Sequence, residues 1–374
     1  MTLNRITCLC SLSAALVYLG IATVPVAAQA QDEIRFMSWT GPYMRSQMLG
    51  FVRPYEQASG VKVHVDHYDG GIDGIRDEVE SANVVTDVID LTQADSLRAC
   101  KEGLLEDISD IDLPNGTDGT PFREDFVDGA LTECGVGVVV WATAFAYEHD
   151  AFGGKKPTSI NDFFDTKNFP GRRAIRNDPT VVMEWALLVD GVPQGDVYSV
   201  LETPEGIERA LKVMDRIKPG LRLWATGSEA ARLLNANEVV MSSMWATTGV
   251  VLSKKPNANF SIVWDGKVIE LDLFGIPKGS LNVEAAKKFI RFASNSNSLA
   301  NMVEYLPNGP TRKSSLKLVS ESVLAQLPNN PANADKVTIT SDAEWWSKNH
   351  VMLEEAFDEW IAKSGQKGAS GTVR

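Results

Sequence analysis

Ile34-Arg35-Phe36-Met37-Ser38-Trp39 is a short apolar strand pattern that stops at Thr40-Gly41-Pro42, and the elements directly after it set the architecture. Met44, Met48, Phe51, Val52 and Tyr55 recur at spacings of three and four, the period of a helix with one buried face, and Gly60 ends the run. Val61-Lys62-Val63-His64-Val65 alternates as a second strand. A Gly-rich turn at Asp69-Gly70-Gly71, a helix over 75–81 and an apolar strand over 84–91 complete a β-α-β-α-β order. That order predicts a parallel sheet with helices on its faces. Ligands of such sheets sit at the carboxyl ends of the strands, where Trp39 and the turn from Thr92 to Asp95 fall.

A second run of the same kind occupies the middle of the chain. Residues 137–147 read as a long apolar strand, 160–164 as a short helix, and Arg173-Ala174-Ile175 as a strand leading into Asn177-Asp178-Pro179. Thr203-Pro204-Glu205 is a helix start, with an N-cap residue and Pro at the first position. A helix over 228–235, strands over 239–245 and 268–276, a helix over 284–292 and an amphipathic tail around Phe357 and Trp360 come next. The pattern predicts two α/β lobes joined by structured strands, and hence a hinge with a cleft.

Composition narrows the function. The chain has 374 residues, 44% hydrophobic and 23% charged, a soluble globular profile. Its net charge of −13 repels phosphate backbones, so no nucleic-acid partner is expected. The amino terminus reads as an export signal over residues 1–30. Asn4-Arg5 is a basic start, residues 6–22 are apolar, and Ala28-Gln29-Ala30 is a small-residue cleavage site. The mature protein then begins near Gln31 and resides in the periplasm. Cys100 and Cys134 remain, an even pair that reads as one disulfide in an oxidising compartment, with two separate buried thiols as the alternative.

No residues assemble a catalytic centre. The four His are scattered, with no H-E-x-x-H, G-x-S-x-G or Walker A motif, so neither enzyme activity, a cofactor nor a metal is expected. What stands out is carboxylates and rings at strand ends: Trp39, Asp95, Asp178 and Trp245. Within the strand Val268-Ile269-Glu270-Leu271-Asp272-Leu273-Phe274, period two puts Glu270 and Asp272 on one face. Paired carboxylates in an apolar strand resist burial unless a cation compensates, although a solvated face or ion pairs with Lys267 or Lys278 would also serve. Rings attract alkylammonium groups by about 2 kcal/mol when desolvated. A slot of this kind suits a diamine or polyamine. For each ring or carboxylate alone, core packing or helix capping is the competing reading, with Asp95 capping the helix that starts at Ser96.

Several of these segments resemble the periplasmic spermidine/putrescine-binding proteins of ABC importers, within the type II solute-binding superfamily. They are "FMSWTGPYM", "GVGVVVWATAFAYEHDAF", "FPGRRAIRNDP", "NANEVVMSSMWATTGV", "LDLFGIPKGSLNVEAAKKFIRFASN" and "VEYLPNGPTRK". By this resemblance Trp39 and Tyr43 match the family's Trp and Tyr after the first strand. Asp178 and Asp272 match its amine contacts, and Trp245 a wall for the alkyl chain. Two positions depart from it: Glu270 stands where spermidine binders carry a second Trp, and Val181 where they carry a Glu, with Glu184 nearby. In place of the family's Ser/Thr-Tyr pair this chain has Thr92-Gln93-Ala94-Asp95.

The resemblance implies a type II periplasmic-binding-protein fold with lobe 1 over 31–140 plus 268–310 and lobe 2 over 141–267 plus 311–374. It implies a monomeric, non-enzymatic receptor that captures a polyamine and delivers it to a membrane permease. The alternatives are another cationic amine, such as an opine or amino-acid derivative, an anion, a sugar or ferric iron, or a secreted carboxylate-dependent enzyme built on Glu270 and Asp272. A further alternative places Trp345-Trp346 on an interaction surface.

Overall fold

β1 (Glu33–Trp39) and β2 (Lys62–Tyr68) pair in parallel from Glu33↔Lys62 to Trp39↔Tyr68, and β3 (Val88–Thr92) lies parallel on the other side of β1. This is the expected β-α-β-α-β sheet in a computed structural model, which describes residues 33–68, 70–330 and 337–363. The expected export signal lies outside the described residues. The strand expected over 84–91 begins only at Val88. The Glu78 carboxylate accepts from Val85 N–H at 3.0 Å and Thr86 N–H at 2.9 Å, so these residues are held by a side chain instead of a ladder.

The helix after β1 runs from Pro42 to Ser59 through a π-helical turn at Met48–Val52. Gly50 sits in that turn, where a Cβ would lie 2.6 Å from Met302 Cα, so glycine is what lets the helix Ser296–Tyr305 come so close.

Two long strands carry the rest. β4 (Val136–Glu148) and β8 (Phe260–Gly275) are antiparallel partners along almost their whole lengths, from Val136↔Phe274 to Glu148↔Phe260. The sequence pattern shows β8 only from residue 268, because Asp265, Gly266 and Lys267 interrupt its apolar run. Gly266 is required there: φ is 78°, and a Cβ would lie 2.6 Å from Ile160 Cβ.

β3 pairs with the end of β8, Thr92 opposite Asp272. On the far side β7 (Met241–Trp245) pairs with β4, β5 (Arg173–Arg176) with β7 and β6 (Arg222–Trp224) with β5. The main order is β2-β1-β3-β8-β4-β7-β5-β6; β9 (Gly309–Pro310) joins β4 and β10 (Thr338–Thr340) joins β8.

Two large cores divide these strands. One gathers Ile34, Phe36, Phe51, Val138, Leu273, Phe274 and Phe289; the other gathers Phe145, Phe163, Trp185, Met214, Val268 and Phe357. Val319 and Leu327 pack in the first core, whereas Ile339 and the tail helix Ala343–Ala362 pack in the second. Trp345 and Trp346 are buried in that second core, which sets aside the interaction-surface reading.

Cys100 and Cys134 form a disulfide with Cα atoms 5.7 Å apart, tying the helix Gln93–Lys101 to the segment that enters β4. On chain-entropy grounds the bond stabilises the fold by roughly 3–4 kcal/mol. A Cys100→Ser/Cys134→Ser double variant is expected to unfold at a clearly lower urea midpoint than the oxidised protein. Equal midpoints would show that the crosslink contributes nothing.

Candidate functional site

Asp90 is the most deeply placed carboxylate among the strand ends. It sits in β3 between Ile89 and Leu91, fully buried, and its Oδ2 accepts from Gln47 Nε2 at 2.7 Å and from Ser38 Oγ at 2.8 Å. Its Oδ1 is buried with no hydrogen-bond partner among the described residues. Tyr43, on the helix after β1, brings its buried hydroxyl to this carboxylate, and burial and then the nearby Asp90 raise it well above the usual phenol range. Burial pushes Asp90 up to about 7, although Ser38, Gln47 and Tyr43 favour its charged form.

Asp272 is next along the wall. It is 6% exposed and accepts from Trp141 Nε1 at 2.9 Å. Burial, and then the neighbouring Asp90, raise it well above the ordinary carboxylate range. Glu270 leaves the same face of β8 two residues earlier. Burial pushes it up to about 8, with Arg176 opposing and Glu184 and Asp178 adding to the rise. Asp272 is buried and Glu270 half-buried, so the pair does not lie on a freely solvated face.

β5, the loop after it and the tail helix supply charges of both signs. Burial would raise Asp178, but Arg176, His350 and Thr180 outweigh it and hold this carboxylate well below its usual range. Arg176 Nη2 lies 4.0 Å and His350 Nε2 3.9 Å from Asp178 Oδ2, and Thr180 N–H donates to Oδ1 at 2.8 Å. The Arg176 guanidinium also stands over the Trp245 ring, 5.6 Å from its centroid. Glu184 is fully buried. Trp346 Nε1 donates to its Oε1 at 3.0 Å and Tyr198 OH at 3.3 Å, Oε2 has no partner, and burial pushes it up to about 7.

All seven residues singled out in the sequence fall in or against this cluster. Tyr43, Asp178, Trp245, Glu270 and Asp272 occupy the positions just given. Asp95 is raised by burial and by Asp178 across the site, while His350 and Arg98 lower it. The competing reading of Asp95 as the helix cap does not hold: Thr92 is the cap, its Oγ1 accepting from Asp95 N–H at 3.2 Å. Trp39 packs edge-on to Tyr68 at 4.6 Å, its Nε1 buried without a partner among the described residues.

Sequence reasoning missed Asp90, Trp141, Arg176 and His350. Asp90 carried the same signal as Glu270 and Asp272, a carboxylate inside an apolar strand, and Arg176 stood two residues before Asp178. His350 is, in the sequence, only one of four scattered histidines. Hollows of about 490 Å³ beside Met44 and about 340 Å³ beside Leu131 share no residue with the cluster.

A sheet whose two longest strands serve two α/β cores, with charges and rings gathered at its strand ends, defines a two-lobed solute-binding protein of the type II periplasmic class. The family described as "Bacterial extracellular solute-binding protein" matches residues 50–334, and the chain belongs to it. It is 33% identical over 338 residues to the gamma-aminobutyric acid-binding protein of Pseudomonas aeruginosa, covering 90% of this chain and 93% of that one. The solved MotA of A. tumefaciens B6, in complex with glucopine, is 27% identical with a TM-score of 0.78, covering 88% of this chain and 99% of its own. The spermidine/putrescine substrate-binding protein PotD of Streptococcus pneumoniae reaches 12% identity and a TM-score of 0.68 over 88% of this chain and 99% of its own, a likeness of fold alone. The relatives matched are solute-binding proteins, not enzymes.

Asp90 and Glu184 at about 7 and Glu270 at about 8 lie above their unfolded values. Groups raised in this way contribute stability below about pH 4 that is lost as pH rises through their folded values. His350, raised first by its hydrogen bond to Asp178, acts in the same direction. The ligand-free protein is therefore expected to melt at a lower temperature at about pH 8 than at about pH 5.5, and Glu270→Gln to flatten that slope. A melting temperature that rises across this interval would contradict the assignment.

Proposed function

We propose that the protein is the periplasmic receptor of an ABC importer, and that its ligand is a small zwitterionic amine and not a polyamine. The observation that carries this reading is Arg176. A site for a diamine has no use for a guanidinium, yet this one stands over Trp245 among Asp178 and Glu270. Arginine is the residue that meets a carboxylate in a planar, two-pronged fashion. The buried acids opposite it would take the ammonium.

Relatives that bind gamma-aminobutyric acid and glucopine support the same choice over spermidine and putrescine. Delivery to a membrane permease accords with the family's role. Differential affinity for a closed state would drive the lobes together around the ligand.

In this reading lobe 1 holds Trp39, Tyr43, Asp95 and Asp272, and lobe 2 holds Asp178 and Trp245, with Glu270 where β8 passes between them. Residues 311–330 go with lobe 1, because Val319 and Leu327 pack in its core and Arg312 pairs with Asp125 at 3.1 Å inside it.

Melting curves with gamma-aminobutyric acid, glucopine, putrescine and spermidine test the proposal. A true ligand at a hundredfold excess over its dissociation constant stabilises by about 2.7 kcal/mol. One of the first two is expected to do so, and Arg176→Met to weaken it by at least about tenfold, roughly the lower end of what losing a buried charge partner costs. Stabilisation by putrescine or spermidine alone, unchanged or improved in Arg176→Met, would sink the zwitterion reading.

A further inference from the structure

The tail helix Ala343–Ala362 touches elements of both cores. Leu353, Phe357 and Ile361 seat it in the second core, and Trp360 Nε1 donates at 2.8 Å to Asp215, which ends the helix Pro204–Met214. Yet it also packs along the helix Gln93–Lys101, which follows β3 directly. That shorter helix is fixed to β3 by Ala99, packed with Ile89 and Leu91, and to the start of β4 by the Cys100–Cys134 bond. Its first turn reaches the other way, setting Ala94 against the second core. His350 stands at this crossing. Its Nε2 lies 3.9 Å from Asp178 Oδ2, its Nδ1 3.8 Å from Glu354 Oε2, and its ring is edge-on to Trp346 at 5.9 Å. Arg176 shares the same Asp178 oxygen at 4.0 Å. From the helix Gln93–Lys101, Asp95 acts on His350, Arg98 acts on Asp95, and Lys101 favours the charged form of Glu344 on the tail helix.

We infer that the tail helix is a strap across the ligand site, and that protonated His350 holds it shut by standing between Asp178 beside one core and Asp95 beside the other. Ile175 and Val181, which flank Asp178, pack in the same core as the strap, so Asp178 and Glu354 stay with His350 when the cores move apart. Asp95 does not. The imidazolium therefore binds its proton more tightly in the joined arrangement, and by linkage the proton favours that arrangement. Its hydrogen bond to Asp178, outweighing burial, raises His350 above the ordinary imidazole value. The closing effect is present below that raised value and is lost as pH rises through it. A neutral imidazole still packs on Trp346 but brings no charge to Asp95. The strap acts before any solute enters, so this inference is independent of which solute the site takes.

Pulsed electron resonance on the ligand-free protein tests the strap, with spin labels on Gln57→Cys and Glu208→Cys, exposed positions on helices of the first and second cores. At about pH 6.5 the short-distance population is expected to be at least threefold larger in the otherwise wild-type protein than in His350→Gln, and at about pH 9.5 the two are expected to coincide. His350→Lys, which stays charged, is expected to keep the short population at both values. Asp95→Asn gives a second route should His350→Gln fail to fold: it is expected to lower the population alike, with no further loss when the two are combined. Equal populations in wild type and His350→Gln at about pH 6.5, a difference that persists unchanged at about pH 9.5, or an Asp95→Asn protein that behaves as wild type overturns the strap.

Discussion

Glu270 and Asp272 leave one face of a strand that runs through the middle of the sheet, and neither can be ionised there without a counter-charge. Moving a carboxylate out of water costs several kcal/mol even after relaxation, and two close together also repel. The surrounding residues relieve this only in part. Trp141 donates to Asp272, and Arg176 favours the charged form of Glu270, yet both acids remain raised. Asp90 and Glu184 repeat the pattern on either side, each with one satisfied and one unsatisfied oxygen. The proposed ligand's ammonium, with several N–H donors, would supply what this wall lacks.

The position of that wall is a consequence of the topology. β4 and β8 belong to both cores, and Trp141 and Glu270 face each other where the cores meet. In the proposed reading, a ligand seated there would meet groups carried by elements of both cores: Tyr43, Asp90 and Asp95 on one side, Arg176, Asp178 and His350 on the other. Binding energy gathered from both sides is what can favour one relative arrangement over another.

Most of the frame was legible in the sequence, because amphipathic periods and glycine or proline stops encode elements directly. β1, β2, β5 and the helix beginning after Thr203 came out close to their observed bounds. β6, β9 and β10 did not, since strands of two or three residues have no measurable period. The site was legible as a set of residue types but not as a balance of charge. Glu270 and Asp272 announced themselves by alternating with leucine. Arg176 did not, because an arginine at a strand end is ordinary until Trp245, 69 positions later in the chain, is brought beneath it. His350 likewise acquires meaning only when the tail helix packs back to set it beside Asp178. Missing these two cations is what made the slot read as purely anionic.

Val181 shows how the second lobe presents its acids. Its φ of 73° and ψ of −53° form a tight γ-turn closed by Val182 N–H donating to Thr180 carbonyl oxygen at 2.9 Å. A β-branched residue is a poor choice for that conformation, which costs on the order of 1–3 kcal/mol and persists only where the surroundings over-determine it. Here they do. Thr180 is tied to Asp178 on one side, and on the other the helix Val182–Val189 starts at once with Glu184 fully buried against Trp346 and Tyr198. The turn reverses the chain between an ionised carboxylate and a neutral-leaning one, so both reach Glu270. The strain is therefore localised in the segment that carries Asp178 and Glu184.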